Sequence, residues 1–189
     1  MGNMAMLSCA SYYKRYKLTE SGISPRVIPG SIEGVTVLAD SHEHDEYGGI
    51  DESSMLRNNM MKKRMRKLDS LRKELIEPEY FGGEEPEILL LGWGSTYGSL
   101  KESVELLRND GIAVGALAFG DIYPLPTNLL ERYSKTARTI VNVEQNFTGQ
   151  LAKLIRQETG TSADKSILKY DGRQMSGEEI YTRVKEEVI

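Results

Sequence analysis

Residues 87–102 read Glu-Ile-Leu-Leu-Leu-Gly-Trp-Gly-Ser-Thr-Tyr-Gly-Ser-Leu-Lys-Glu, and this stretch decides the fold. The apolar run 88–91 stops at a glycine-rich turn, after which Leu100, Val104 and Leu107 follow at helical spacing. The pattern predicts a strand, a tight turn and a helix, which is how an open α/β sheet begins. A turn of this kind can hold an anion on backbone N–H groups at the helix start.

The chain beyond this stretch alternates between strand and helix patterns. Further strands are predicted at 112–119, 138–144 and 166–170, and helices at 96–109, 127–134, 148–159 and 176–188. The strand segments are almost continuously apolar, as expected for strands buried on both faces. Short loops between them predict a mainly parallel sheet with right-handed crossovers. We therefore expect a three-layer α/β sandwich over residues 87–189.

The first 34 residues are predicted to be a disordered leader, 1–11, followed by an extended arm. The arm contains two prolines and several glycines without a sustained pattern. An extended arm of this kind usually packs on another surface, and the sequence leaves open whether that surface belongs to this chain or to another one. Residues 35–86 are expected to hold an edge strand at 35–39, a polar loop and a long helix at 52–77.

The long helix carries an apolar stripe that predicts a packing seam for a neighbouring domain or subunit. The stripe consists of Met61, Met65, Leu68, Leu71 and Leu75. The segment 77–86, with a proline at each side of two glycines, is expected to break the helix and mark a domain boundary. Basic residues between Lys62 and Lys67 allow a nucleic-acid contact, but interspersed acids favour a solvated helix face.

Composition excludes several classes of protein. The net charge of −4 gives no global attraction to nucleic acid. No apolar run approaches the roughly 20 residues of a membrane span, so we expect a cytoplasmic chain without membrane contact. The single cysteine, Cys9, allows neither an internal disulfide nor a cysteine-ligated iron–sulfur cluster within this sequence.

Both histidines of the chain lie among carboxylates in the loop 40–49. A His-x-His pair with flanking acids can ligate a metal. No further ligand cluster accompanies the pair, so a polar loop that contacts a partner or the sheet edge is the favoured interpretation. The residues predicted for that contact are His44, Asp45 and Glu46.

Three loops at the carboxyl ends of strands are candidate sites. The first, Gly94-Ser95-Thr96, departs from a dinucleotide fingerprint because its third glycine, Gly98, comes one position late. A tight turn with a Ser or Thr helix cap is favoured there. The second, Gly120-Asp121 with Pro124 and Pro126, is mostly explained by a structural turn before a helix. The third loop begins at Glu144 and includes Asn146, with Thr148 available to cap the next helix. We expect Gly94, Ser95, Thr96, Glu144 and Asn146 to lie together at one edge of the sheet, facing a partner rather than a cofactor.

Five short motifs occur in an order that is typical of one family. They are Glu-Ser-Gly-Ile-Ser-Pro-Arg at 20–26, His-Asp-Glu-Tyr-Gly at 44–48, Lys-Arg-Met-Arg-Lys at 63–67, Gly-Trp-Gly-Ser-Thr at 92–96 and Val-Glu-Gln-Asn-Phe-Thr-Gly-Gln-Leu at 143–151. Together they resemble the carboxy-terminal part of the alpha subunit of 2-oxoacid:ferredoxin oxidoreductases, most of all the 2-oxoglutarate type. The resemblance runs from about residue 12 to the end.

The resemblance implies a transketolase C-terminal-domain-like fold and a place in a thiamine diphosphate-dependent complex. Such complexes decarboxylate a 2-oxoacid, pass electrons through iron–sulfur clusters to ferredoxin, and place the acyl group on coenzyme A. Motifs for thiamine diphosphate, magnesium and the clusters are expected on other parts of the complex, so no catalytic, cofactor or metal residue is assigned here. The implied partners are beta and gamma subunits, with a delta subunit and a homodimer left open. A stand-alone anion- or nucleotide-binding α/β module is the alternative.

Overall fold

The computed structural model describes residues 13–189, so the predicted disordered leader, 1–11, lies outside the described residues. The chain divides into two compact units, Met1–Glu74 and Leu75–Ile189. The elements in chain order are α1 (Ser54–Leu71), β1 (Glu79–Gly82), β2 (Ile88–Trp93), α2 (Tyr97–Asn109), β3 (Val114–Phe119), α3 (Asn128–Ser134), β4 (Thr139–Glu144), α4 (Gln150–Thr159), β5 (Lys165–Leu168) and α5 (Gly177–Glu187). In residues 13–189, none of these helices has both the length and the apolar character that a membrane span requires.

The second unit is built on a five-stranded sheet with the order β1-β3-β2-β4-β5. Strands β2, β3, β4 and β5 run parallel, and β1 lies antiparallel along the outer edge of β3. The strand and helix alternation after residue 87 and the mainly parallel sheet are thus confirmed, with most element ends within about two residues of the predicted ones.

Alternation along the strands places a separate apolar core on each face of the sheet. Ile88 and Leu90 of β2 face a core that includes residues of α2 and α5. Leu89 and Leu91 face the opposite core, which includes residues of α3 and α4. Helices therefore cover both faces, which explains why the central strands are mostly apolar, with the buried polar residues Asn142 and Glu144 of β4 as exceptions. The three-layer α/β sandwich is confirmed.

Strand β1 lies within the segment that was predicted to be only a helix break and boundary. Its residues Tyr80 and Phe81 pack on opposite faces of the sheet, and the Tyr80 ring stacks on Tyr133 with ring centroids 3.7 Å apart. The segment forms a strand because its two central aromatic residues add to both cores, although proline and glycine flank it. The sequence pattern alone did not reveal this tertiary gain.

The first unit corrects three predictions. Residues 35–39 form no strand, because the described residues of this unit offer them no paired strand. Helix α1 ends at Leu71 and not at residue 77, so Leu75 lies beyond it. The predicted apolar stripe is not the packing face, since Met65 and Leu71 are exposed and the buried residues of α1 are Met60 and Lys63.

The extended arm packs on α1 within the same unit. The Lys63 ammonium donates to the Tyr16 carbonyl over 2.7 Å, and the Arg66 guanidinium donates to the Thr19 carbonyl over 3.0 Å. Gly22 has a φ of +77°, and a Cβ there would lie 2.5 Å from the Lys63 carbonyl oxygen. The arm thus approaches the helix backbone so closely that only glycine fits.

Candidate functional site

A crevice opens where the strand order reverses. Strand β2 lies between β3 and β4, and the chain connects β2 to β3 on one side before returning to β4 on the other. The loops after β2 and β4 therefore leave neighbouring strands in different directions, which is the usual position of a ligand crevice in open α/β sheets. The crevice has a volume of about 340 Å³ and is lined by Trp93, Gly94, Ser95, Thr96, Gln145, Asn146 and Gln150.

The glycine turn after β2 is held by Thr96, which is buried. Its hydroxyl accepts a hydrogen bond from the Trp93 N–H over 3.0 Å and donates one to the Trp93 carbonyl over 2.9 Å. Gly94 supplies a φ of +58°, which begins a single 3₁₀ turn that leads into α2. The expected Ser or Thr cap of α2 is not formed, because the Thr96 side chain bonds back to Trp93.

Glu144 ends β4 with its side chain fully buried. One carboxylate oxygen accepts the Leu151 and Ala152 N–H groups over 2.9 and 3.2 Å, at the start of α4. The other oxygen accepts the Trp93 indole N–H over 3.1 Å and the Asn146 amide over 2.6 Å. The carboxylate thus caps a helix and joins the two loops of the crevice.

Two opposing effects act on the pKa of Glu144. Burial by itself raises it, because the charged form loses its hydration. The hydrogen bonds donated by Leu151, Asn146 and Trp93 outweigh burial, and the pKa lies below the ordinary value of a glutamate. The group is therefore a stable carboxylate at neutral pH and a poor general acid or base.

Asn146 has a structural role in the same loop. Its side-chain oxygen accepts the N–H groups of Thr148 and Gly149 over 3.1 and 2.8 Å, which folds the loop into an Asx turn. The predicted Thr148 cap is wrong, since the residue preceding α4 is Gly149, at a φ of +63°, and Glu144 supplies the capping oxygen from five residues earlier.

The structure brings all five residues predicted for this edge into one neighbourhood. Gln145, one of the two amides that follow Glu144 but not among the predicted contact residues, bridges further. Its amide nitrogen donates to the Ser95 hydroxyl over 3.2 Å and its oxygen accepts the Met175 N–H over 2.7 Å. Its position beside Glu144 after a buried strand was the only available signal. That these residues contact a partner stays a prediction.

Thiamine diphosphate does not fit the residues of this crevice. Its chemistry calls for a carboxylate that is free to engage the cofactor, but both oxygens of Glu144 already accept two hydrogen bonds each. A diphosphate also requires cations, and the described residues that line the crevice include neither lysine nor arginine. The same charge argument disfavours the anion-binding alternative at Gly94-Ser95-Thr96.

The loop predicted for His44, Asp45 and Glu46 belongs to the first unit. His44 is buried, with its ring stacked on Tyr16 at a centroid distance of 4.6 Å and its Nε2 3.2 Å from Asp40. One Asp45 oxygen accepts the N–H groups of residues 47, 48 and 49. Glu46 accepts from Lys14 and from the Leu18 N–H, both over 2.9 Å. All three side chains therefore make contacts inside the unit.

These carboxylates and histidines do not form a metal site in the described chain. Over residues 13–189, no group of three or more His, Cys, Asp or Glu side chains is arranged to hold a metal ion. Asp40 approaches both histidines, at 3.3 Å from His42 and 3.2 Å from His44. Its pKa is lowered mainly by the hydrogen bond from the His42 backbone N–H, and to a smaller extent by the nearby His44 and His42 side chains.

Comparison with known proteins assigns the family. Residues 86–181, about half of the chain, match the description "Pyruvate:ferredoxin oxidoreductase core domain II". The chain belongs to this family. The matched range contains the sheet strands from β2 onward together with the crevice.

Relatives extend the match over both units. The chain is 36% identical to the 2-oxoacid:ferredoxin oxidoreductase 2 alpha subunit of Aeropyrum pernix, over 92% of this chain and 27% of the relative. It is 33% identical to the 2-oxoacid:ferredoxin oxidoreductase alpha subunit of Saccharolobus solfataricus, over 91% of this chain and 27% of the relative. The resemblance to oxidoreductase alpha subunits is confirmed. The chain spans about a quarter of the length of these relatives.

A solved structure gives the same assignment. The 2-oxoglutarate:ferredoxin oxidoreductase from Magnetococcus marinus, with 2-oxoglutarate, coenzyme A and succinyl-CoA bound, matches with a TM-score of 0.77 and 32% identity. The match covers 94% of this chain and 31% of that chain. The fold of this family member is therefore that of one part of a larger oxidoreductase subunit.

Proposed function

We propose that this chain serves as the non-catalytic carboxy-terminal part of an alpha subunit in a thiamine diphosphate-dependent 2-oxoacid:ferredoxin oxidoreductase. Its role is assembly of the complex that oxidatively decarboxylates the 2-oxoacid to an acyl-CoA. The supporting family evidence is the similarity to alpha subunits over more than nine-tenths of the chain. Thiamine diphosphate, magnesium, iron–sulfur clusters and ferredoxin contact are assigned to other parts of the complex.

The observation that carries the non-catalytic role is the saturation of Glu144. This carboxylate occupies the position where an open α/β sheet usually presents reactive groups, yet it accepts four hydrogen bonds from the protein itself. A base must reach a substrate proton, and a carboxylate held in this way has no free oxygen to do so. The crevice is thereby a rigid scaffold for its rim residues, of which Ser95 is exposed.

We propose 2-oxoglutarate as the 2-oxoacid of the complex. The support is the similarity to the Magnetococcus marinus enzyme, whose structure contains 2-oxoglutarate and succinyl-CoA. The partners are the beta and gamma subunits of the complex.

Co-expression with candidate beta and gamma subunits tests the assembly role. We expect the chain to copurify with them and Ser95→Arg, at the rim of the crevice, to weaken that association. Glu158→Arg, on the exposed side of α4, is the matched control and should leave it unchanged. Failure of the unmodified chain to copurify would contradict the assembly role, and equal behaviour of the two variants would contradict the crevice as the contact.

Calorimetry with thiamine diphosphate and magnesium tests the non-catalytic role separately. We expect no ferredoxin reduction from 2-oxoglutarate by the chain alone. Any binding heat should be the same for the unmodified chain and for Ser95→Arg, because the cofactor does not bind at the crevice. Saturable micromolar binding of the cofactor that Ser95→Arg abolishes would contradict the proposal.

A further inference from the structure

The first unit contains a cleft whose charge is unlike that of the sheet crevice. The cleft, called here the basic cleft, has a volume of about 370 Å³ and lies between the arm and α1. Its lining includes five cationic side chains and, among the described residues that form it, no aspartate or glutamate. The cations are Arg15, Arg26, Lys63, Arg64 and Lys67.

Only one of these cations is neutralised by an ion pair within the described residues. Arg64 forms a two-pronged pair with Glu43, at 3.0 and 2.5 Å. Among residues 13–189, the other four have no carboxylate within the 4.0 Å limit of a salt bridge. Glu46, the acid whose charge Lys63 senses, is already paired with Lys14 at 2.9 Å. The cleft therefore retains a large uncompensated positive charge.

Lys63 is the most buried cation of the cleft, with 5% of its surface exposed. It donates to the Tyr16 carbonyl, which uses one of the three donors of an ammonium group. Burial, followed by the neighbouring charges of Lys67 and Arg64, lowers its pKa. A buried lysine surrounded by other cations is destabilised, and an anion in the cleft would relieve this.

Arg15 provides a second and independent observation. Its Nε–H is buried and meets no hydrogen-bond acceptor within residues 13–189. A guanidinium donor without an acceptor is costly when water is excluded, since arginine carries five donors and no acceptor. An oxygen-rich ligand in the cleft would supply the acceptor.

We propose that the basic cleft binds a phosphate-bearing anion, in which a phosphomonoester or pyrophosphate group meets Lys63 and Arg15 at its floor and Arg26 and Lys67 at its rim. Phosphate oxygens are strong acceptors that suit both the guanidinium fork and the ammonium point charge. The site lies wholly within the first unit and does not rest on the proposed function. Its position on the arm also gives Gly22 a role, because the close approach at this glycine holds the arm segment that contributes Arg26.

A nucleic-acid surface fits these observations less well. Duplex recognition uses a row of exposed cations along a groove-sized surface. Here the most buried cations form the floor of a cleft of only about 370 Å³, while Lys62 lies on the exposed side of α1 and does not line it. A phosphate or pyrophosphate group fits within that volume, whereas a duplex does not.

Isothermal titration of the full 189-residue chain with inorganic pyrophosphate tests the proposal. The double variant Arg26→Gln/Lys67→Gln removes two exposed rim charges without changing the buried floor. Lys62→Gln/Lys73→Gln removes the same charge from exposed positions of the same region that do not line the cleft. We expect one saturable site that the first variant weakens about tenfold or more and the second leaves within about twofold.

Parallel titrations with inorganic phosphate and ADP distinguish the source of the phosphate. Tighter binding of ADP than of pyrophosphate supports a nucleotide-borne phosphate, whereas the reverse order supports the free anion. Absence of saturable binding with all three ligands, or equal weakening by both double variants, would overturn the proposal. Duplex DNA that binds more tightly than pyrophosphate and responds equally to both variants would also overturn it, in favour of a nucleic-acid surface.

Discussion

The sheet crevice and the basic cleft differ in whether their charges find partners inside the chain. In the crevice, the Glu144 carboxylate accepts four hydrogen bonds from the protein. In the cleft, four of five cations lack an ion pair among the described residues, and a buried Arg15 donor has no acceptor there. The difference teaches that position alone does not identify a ligand site. A saturated group stabilises the fold, and an unsaturated one is available to bind.

The largest expected effect comes from breaking the saturated cluster. Glu144→Ala leaves the Leu151 and Ala152 N–H groups and the Trp93 indole without their acceptor in a buried place. We expect the free energy of unfolding to fall by about 3–5 kcal/mol, measured by urea denaturation with Trp93 fluorescence.

Two variants control this experiment. Glu158→Ala, exposed on α4, should change the stability by less than about 0.5 kcal/mol. Glu144→Gln keeps one acceptor oxygen and should fall between the two. A loss below about 1 kcal/mol for Glu144→Ala would contradict the structural role of this carboxylate.

A smaller effect is expected from the wall of the basic cleft. Gly22→Ala forces a side chain into a positive φ and places its Cβ 2.5 Å from the Lys63 carbonyl oxygen. We expect a loss of about 2–3 kcal/mol in the local stability of α1, measured by amide hydrogen exchange of this helix.

Gly30→Ala separates the two causes. Gly30 also has a positive φ, +82°, but its added Cβ would meet no atom within 4 Å. The control should therefore cost about 1 kcal/mol, from the backbone alone. If both variants speed amide exchange in α1 to the same extent, the result would contradict the close packing of the arm on this helix.

Acid titration tests the one ion pair of the basic cleft, in which Glu43 neutralises Arg64. Hydrogen bonds from Arg64, and then from Arg57, lower the pKa of Glu43 from its ordinary value of 4.5 to about 2. Because the folded pKa is the depressed one, the stabilisation is present above pH 4.5 and is lost as the pH falls towards 2.

We expect Glu43→Gln to remove about 1 kcal/mol at neutral pH, since both arginines remain partly exposed and water screens them. The difference between the variant and the unmodified chain should shrink as the pH falls from 4.5 to 2. The measurement is the denaturant concentration at which α1 unfolds, determined at each pH by amide hydrogen exchange of this helix. A difference that stays constant over this range would show that the ion pair does not stabilise the unit.

The smallest effect is expected at the rim of the crevice. Ser95→Ala removes the acceptor of the Gln145 amide, a 3.2 Å hydrogen bond at an exposed site. The unfolding free energy should fall by at most about 0.5 kcal/mol, because water replaces the lost partner. Gln145→Ala, which also frees the Met175 N–H, should cost more, and the reverse order would contradict the bridging role of Gln145.

The meeting of the two crevice loops could be predicted from the sequence because it follows from topology. Parallel neighbouring strands bring their carboxyl ends to one edge, so an apolar run that ends at Gly92 and another that ends at Glu144 suffice. The bonds of Glu144 could not be predicted. Its partners lie 7 and 51 residues away along the chain, and only the folded structure decides which donors reach it.

The first unit shows the opposite limit. The alternating Val35-Thr36-Val37 pattern favours a strand, but a strand requires a partner that no periodicity supplies. On α1, the Met65 stripe has the better helical spacing, yet the arm covers the face of Met60 and Lys63. Lys63 is buried because its ammonium reaches the Tyr16 carbonyl, a contact 47 residues away in sequence.

The two outer strands of the sheet have a consequence for how this family member associates. Both β1 and β5 are only four residues long. Lys165 begins β5, and Lys169 follows directly after it. Short, charged borders are poor templates for backbone pairing with another chain, which protects against fibre-like polymerisation. Association with other subunits is therefore expected to use loops and helix surfaces, not pairing along the borders of the five-stranded sheet.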